Sequence, residues 1–394
     1  MPTLNNPTLN ISLSKVHSNA KIILNICRKH NIEPCAVTKG VCADIKIAEA
    51  LVNAGFNMLA DSRMENLLDL RMAFPSIKLL NLRIPMISEM DRLVETVDYS
   101  IISEWESLIA MNSSAKKFNK VMKVIPIMEL GDLREGMHEE ELLALLPHFA
   151  NYHPKLHPNS TTVSSELDAP LKDIQSNRCN PIINSSCKLD NIYLAGIAAN
   201  HKCLSGVLPD HTNLGKFAEI ADKVNNHFDL EIVSGGNSSA FYMMDSGSLP
   251  SIINNLRLGE SVLLGRERAF WKPISGCCSD AFTIHAEIVE LKSKQSLPIG
   301  TIGMNAFGET PPPPKDKGVI KRAILAIGEQ DIEFENLTPL ENGVEILGAS
   351  SDHLIVDVSG YRSNLRIGDS LRFGVNYSTM MKAFTSKYVN KKYI

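Results

Sequence analysis

The residues that could do chemistry sit where short apolar runs end. Lys39 closes Pro34-Cys35-Ala36-Val37-Thr38-Lys39-Gly40. Lysine is costly to place beside a core unless it is paired or used. A partly desolvated lysine has a depressed pKa, and its free amine can form a Schiff base with a carbonyl compound. The plainer reading is a side chain snorkelling off a strand end into solvent. A second run, Val233-Ser234-Gly235-Gly236-Asn237-Ser238-Ser239, precedes a helical pattern. Its glycines let a ligand approach the backbone, Ser238 and Ser239 add hydroxyls, and the helix start adds free amides. That combination suits an anion, most naturally a phosphate, with a capped Gly/Ser turn as the alternative. Arg257, followed closely by Gly259, ends Asn255-Leu256-Arg257-Leu258. It reads either as a ligand-facing cation or as half of a structural ion pair. Arg134 lies in Met128-Glu129-Leu130-Gly131-Asp132-Leu133-Arg134-Glu135-Gly136. It could hold an anionic oxygen, or be neutralised by its acidic neighbours in a solvated loop. Asn200 ends Gly196-Ile197-Ala198-Ala199-Asn200.

These residues need a frame. Strand-like runs fall at Cys35–Thr38, Met58–Ala60, Ile77–Asn81, Tyr99–Ile102, Val121–Met128, Ile192–Ile197, Glu231–Val233 and Ile253–Leu258. An amphipathic pattern from Asn19 to His30 precedes the first, and helical patterns at 44–54, 63–73, 88–96, 104–118, 139–149, 213–228 and 238–245 lie between them. Eight strands alternating with helices predict an α/β fold, a (β/α)8 TIM barrel, with an open doubly wound sheet as competitor. In such a barrel the carboxyl ends of the strands form the reactive rim. Thr8–Leu13 reads as an opening strand ahead of this rhythm. Beyond Ala281 the chain turns to short alternating runs at 283–291, 320–327, 344–347, 354–358 and 370–375, broken by Pro311–Pro314 and Asn342-Gly343. The expected layout is a barrel over 1–265 and a mostly β C-terminal domain over 266–394. A Ser/Asn/Pro-rich insertion at about 153–190 interrupts the barrel. His153 and His157 there lack a suitably spaced carboxylate or cysteine, so no metal is expected.

Composition narrows the function classes. The 394 residues exceed the usual size of one core. A net charge of −4, with basic residues gathered only near Lys387–Tyr393, argues against nucleic acid as the main partner. No apolar run approaches the roughly 18 residues that cross a bilayer, and Met1–Asn10 lacks a signal core. The eight cysteines have neither metal spacing nor a disulfide pattern, which fits reduced thiols in the cytoplasm.

One lysine, two arginines, an amide and a Gly/Ser cradle at strand ends together suit pyridoxal 5′-phosphate. Lys39 would meet its aldehyde, Ser238 its phosphate and the arginines its ring atoms. The chain resembles the pyridoxal-phosphate racemases of the alanine racemase fold, and within them the ornithine racemase-like branch. The resemblance rests on Val37-Thr38-Lys39, Leu59-Ala60-Asp61-Ser62-Arg63, Leu130–Gly136, Ser234–Ser239, Leu256–Glu260 and Gly348-Ala349-Ser350-Ser351-Asp352-His353-Leu354. Single motifs are weak, but the set covers nearly the whole chain outside the insertion. It implies that Lys39 carries the cofactor and serves as one acid/base. Arg257 would face the pyridine nitrogen, and Arg134 the phenolic oxygen. Ser238, Ser239, the Gly259 backbone and Tyr377 would hold the phosphate, with Asn200 against the ring.

The resemblance also implies a homodimer with shared active sites and an amino-acid substrate, of ornithine or lysine type. One departure matters. Alanine racemases take a second catalytic group, a tyrosine, from the partner's β domain, and no tyrosine occurs here between Ala281 and Gly360. The nearest substitutes are His353, which titrates near neutrality, and Asp352; both could equally be surface polar groups. The rival readings are a D-amino-acid lyase or decarboxylase on the same scaffold, and a non-catalytic carrier of the cofactor. No cysteine follows Cys278, where such decarboxylases carry one, and a carrier has no need of a second domain.

Overall fold

The structure, a computed structural model, describes residues 7–153, 188–305, 307–308, 310 and 315–394. The strands are β1 (Thr8–Ile11), β2 (Cys35–Val37), β3 (Met58–Asp61), β4 (Lys78–Asn81), β5 (Tyr99–Ile102), β6 (Met122–Met128), β7 (Ile192–Leu194), β8 (Gly196–Ala199), β9 (Ile232–Asn237), β10 (Asn255–Leu258), β11 (Phe282–Gln295), β12 (Val319–Leu325), β13 (Thr338–Pro339), β14 (Glu345–Ala349), β15 (Leu354–Asp357), β16 (Ser370–Gly374) and β17 (Asn390–Tyr393). The helices are α1 (Leu13–Lys29), α2 (Ile45–Ala54), α3 (Met64–Ala73), α4 (Met90–Thr96), α5 (Trp105–Lys117), α6 (Glu139–Leu145), α7 (His211–Asn225), α8 (Phe241–Asp245), α9 (Glu260–Leu264) and α10 (Tyr377–Thr385). Most of the expected insertion, from 154 to 187, lies outside the described residues.

The chain divides into two compact units. One comprises His17–Lys39 and Ala43–Cys277; the other comprises the residues up to Val16, Gly40–Cys42 and Cys278–Ile394. In the first, strands run in the order β5-β4-β3-β2-β10-β9-β8-β6, and β5 also pairs with β6. Every one of these pairings is parallel. The ring therefore closes as an eight-stranded (β/α)8 barrel, which excludes the open sheet.

Its interior is filled by Cys35, Val37, Ala60, Leu80, Tyr99, Ile101, Ile125, Ile127, Ala195, Ala198 and Ile232. Several come from alternate positions of one strand, as the two-residue period of a pleated strand requires. The expected sixth strand is broken in two. The Ala195 carbonyl accepts from Glu231 N at 2.8 Å and Ile232 N at 3.1 Å, so β7 and β8 pair with separate parts of β6.

Helix ends follow the sequence. The Asp44 carboxylate caps α2 by accepting from Ile47 N at 3.1 Å, and Gly55 ends that helix at φ 111°. The first helix begins at Leu13, six residues before the expected Asn19, because Val16 extends its buried face of Ala20, Ile23, Leu24 and Cys27.

The other unit is mostly β. Its sheet runs β13-β16-β11-β12-β15-β14, and β1 lies antiparallel to β11 and parallel to β17. The opening strand thus pairs with one segment beyond residue 281 and another at the far end of the chain. The helix α10 starts at Tyr377, with the Asn376 side chain accepting from Thr379 N.

Candidate active site

Lys39 begins a short 3₁₀ turn directly after β2, at the carboxyl end of the barrel. Its amine makes no hydrogen bond or ion pair among the described residues. Burial pushes its pKa down; the charge of Cys203 and then Asp61 oppose this, while Arg134 and Arg268 add to it. A lysine treated this way keeps more of its amine in the neutral, nucleophilic form. Thr38 just before it donates to Asp61 Oδ2 at 2.7 Å. Asp61 also accepts from Ser62 N, Arg63 N and the Asn66 amide at 2.7, 3.1 and 3.0 Å. The β2 and β3 ends are therefore clamped together beneath the lysine.

Arg257 is buried at the end of β10. One guanidinium nitrogen donates to Ser234 Oγ at 2.6 Å and another to the Ala199 carbonyl at 2.6 Å. Among the described residues it has no carboxylate partner, so the structural ion pair is absent. Burial leads the causes that lower its pKa. The cation is held by neutral acceptors, and part of its donor set remains free for a ligand.

Ser238 and Ser239 open the turn after β9. Ser238 Oγ lies 3.1 Å from Ser261 Oγ and accepts from Ser261 N at 3.3 Å, which ties β9 to α9. Ser239 Oγ is buried without a partner. Gly259 caps the start of α9, and a Cβ there would lie 3.3 Å from Val37 Cβ, so only glycine leaves the β10–β2 seam relaxed. Asn200 follows β8; its oxygen accepts from Asn237 at 3.1 Å while its buried NH₂ has no partner. Arg134 stands on the exposed loop after β6 and pairs with its neighbour Glu135. Asp132 of the same loop accepts the backbone amides of Cys203, Leu204 and Ser205 at 2.9–3.2 Å, fastening it to the loop after β8.

Three groups at this rim had no assigned role in the sequence reading. His201 is fully buried with neither ring nitrogen hydrogen-bonded, and burial, then Arg257, drive its pKa down to about 4. Glu260 is buried with no hydrogen bond and lies 3.8 Å from Arg268 Nε; burial raises its pKa. Glu260 stood inside a quoted motif and His201 directly after Asn200, whereas nothing local marked Arg268.

The remaining candidates lie in the other unit. The Tyr377 ring rests against Gly40, where a Cβ would come within 2.7 Å of it. Asp352 and His353 are exposed on the β14–β15 turn. Asp352 accepts from Gln330 at 3.0 Å and Ser351 at 2.6 Å. Both line a groove of about 420 Å³ with Pro7, Val289, Ala326, Gln330, Asp331 and Tyr388. Tyr377 is not part of that groove.

Leaving a buried amide, hydroxyl or imidazole unpaired costs about 1–3 kcal/mol each. Asn200, His201 and Ser239 bear that cost at one rim, while the buried Glu260 is partly offset by the Arg268 guanidinium. A phosphorylated aldehyde fits this donor set, with the free amine for its carbonyl and hydroxyl, amide and guanidinium groups for its anionic oxygens. Fold and site together define a closed (β/α)8 barrel with a desolvated lysine amine at its carboxyl rim.

Comparison with known proteins narrows that class. A family profile described as alanine racemase, N-terminal domain, matches residues 11–162. The chain is 42% identical over 388 residues to an ornithine racemase of Acetoanaerobium sticklandii, covering 98% of this chain and 99% of that one. It is 33% identical over 389 residues to a lysine racemase of Thermotoga maritima, covering 98% of each. The solved alanine racemase of Bartonella henselae, with covalently bound pyridoxal phosphate, superposes with a TM-score of 0.68 at 16% identity, covering 98% of this chain and 99% of that one. The chain belongs to the family of these ornithine and lysine racemases, amino-acid racemases built on the alanine racemase fold.

Proposed function

We propose that this protein racemises a basic amino acid with a long side chain, ornithine or lysine, as a cytoplasmic homodimer. The reaction is a two-base proton transfer at Cα. The observation that carries the reading is Lys39: a desolvated amine, without hydrogen bond or ion pair among the described residues, at the mouth of a closed barrel. The substrate class is supported by the names of the two relatives, aligned over almost the entire chain. The six described cysteines outside disulfides fit a reducing compartment, and no described helix is long and apolar enough to cross a membrane.

The cofactor is pyridoxal 5′-phosphate, which when bound withdraws electrons from the substrate's Cα and acidifies its C–H bond. Lys39 holds it and moves the Cα proton on one face. Burial supplies the neutral amine which that step needs. Arg257, held by Ser234 and the Ala199 carbonyl, would present its guanidinium to the pyridine nitrogen and disfavour protonation there. Ser238, Ser239, the Gly259 amide and Tyr377 would receive the phosphate. Arg134 would hold the phenolic oxygen, and Asn200 would lie against the ring.

The second acid/base is His353 or Asp352 of the partner subunit. Exposure suits both to that role, because a group that must reach another chain's site cannot be buried in its own. Incubating the cofactor-loaded protein with single enantiomers in D₂O tests the reading. The expected outcome is Cα deuteration and loss of optical rotation for ornithine or lysine, well above alanine. No exchange with any amino acid contradicts it.

A further inference from the structure

Arg268, just beyond α9, is a cation with no role so far. Among the described residues its guanidinium makes no hydrogen bond, and its Nε is buried. Its ion-pair partner is Glu260, whose Oε2 lies 3.8 Å from that Nε. Both Glu260 carboxylate oxygens are buried without a hydrogen bond. The Glu260 side chain is 2% exposed and that of Arg268 31%, so the acid sits on the buried Nε side and the open part of the arginine lies elsewhere.

The backbone here is firmly held. Arg268 N donates to the Ser238 carbonyl at 3.2 Å. Lys202 Nζ donates to the Arg268 carbonyl at 2.6 Å and to that of Ala269. The Glu267 carboxylate accepts from Ala269 N at 2.6 Å, Phe270 N at 3.0 Å and Lys272 N at 2.9 Å. This frame ties Arg268 to the Ser238-Ser239 turn, where Ser239 Oγ is buried and unpaired. Glu260, on the other side, directly follows Gly259. A buried carboxylate so close to Gly259 disfavours a phosphate dianion there unless a cation offsets it. Arg268 is the foremost cation acting on Glu260, and its charge also reaches the Lys39 amine.

We propose that Arg268 is a cofactor-binding residue, taking the phosphate of pyridoxal 5′-phosphate through its terminal guanidinium nitrogens while Glu260 holds the Nε side. A guanidinium offers a phosphate two parallel donors in a fixed fork. This rests on the proposed placing of the phosphate at Ser238, Ser239 and Gly259, and gives that set the charged member it lacks.

Pyridoxal keeps the aldehyde and lacks the phosphate, so it separates this contact from the Lys39 chemistry. The full chain, stripped of cofactor, is titrated with pyridoxal 5′-phosphate and with pyridoxal, as wild type, Arg268→Met and Arg268→Lys. Arg268→Met weakens binding of the phosphorylated aldehyde about ten- to a hundredfold and leaves pyridoxal nearly unchanged. Arg268→Lys, which keeps the charge without the fork, falls between. Where the methionine variant does not fold, the ratio of the two affinities is read from the lysine variant. Equal losses for both aldehydes show a merely structural arginine and overturn the proposal, as does no loss for either. An unchanged ratio with a raised KM for the amino acid assigns Arg268 to the substrate carboxylate and overturns it too. In each of these cases a wild type that exchanges the Cα hydrogen keeps the racemase reading. A wild type that binds the phosphorylated aldehyde through Arg268 and exchanges nothing sinks that reading instead.

Discussion

At the barrel rim, Asn200, His201, Ser239 and Glu260 are buried with polar atoms left without hydrogen bonds, whereas on the β14–β15 turn Asp352 stands in solvent with both oxygens bonded and His353 beside it. The two regions are the two halves of the proposed site, and their states differ because their partners do. The rim waits for a small molecule, so its walls are prepared and its costs are borne within one chain. In the proposed homodimer the turn meets another protein surface, which fits its exposure in the single chain. On the proposed reading, a single chain holds one acid/base station and the detached part of a second.

The largest effect that could break this contrast is on the turn. Replacing His353 or Asp352, whichever acts, lowers racemisation by about 10²–10⁴-fold, the usual contribution of a positioned acid/base. Mixing that inactive variant with inactive Lys39→Ala protein restores activity if sites are shared, because one hybrid site carries both wild-type groups. No recovery on mixing, measured by chiral chromatography, places the second base within its own chain.

The next effect sharpens the rim. Arg257→Lys cannot bridge Ser234 and Ala199 at once, and leaves a buried acceptor unpaired. A loss of about 1–3 kcal/mol in urea unfolding is expected, with weaker cofactor retention.

His201 gives a pH signature of similar size. Its folded pKa, about 4, lies below the ordinary 6.5. The unfolded chain therefore binds a proton that the fold refuses, and stability is lost as pH falls from about 6.5 toward 4. The total is roughly 3 kcal/mol, read as a falling Tm. A His201→Leu variant should show a flatter Tm profile across that window.

The smallest effect expected is Gly40→Ala. The new methyl meets the Tyr377 ring at 2.7 Å, a contact the ring can relieve by rotating. About 1–2 kcal/mol is expected, together with a measurable drop in phosphate affinity if Tyr377 holds that group.

Legibility in the sequence divides along the same line. The eight barrel strands were readable because each is a short apolar run set between turn residues and an amphipathic helix, and Lys39, Asn200, Ser238 and Arg257 could be placed at their ends by counting. Pairings over long separations left no local trace. Nothing in Thr8–Ile11 announces a neighbour at Phe282 or at Asn390. The short α9 was missed because five residues make too little periodicity to read. In α10, nine residues with a buried face of Met380, Ala383 and Phe384 make a helix that none of the sequence patterns covered. At the site, residue types were visible but their satisfaction was not. That Arg257 has no carboxylate partner, and His201 no hydrogen bond, among the described residues are properties of packing and not of spacing.

The central claim, that the buried Lys39 amine is the group through which this barrel works, is tested most directly by trapping. The protein is saturated with pyridoxal phosphate, reduced with borohydride, digested and mapped by mass spectrometry. The account predicts one reduced pyridoxyl adduct per chain, on Lys39. An adduct on another lysine, or none at all, contradicts it.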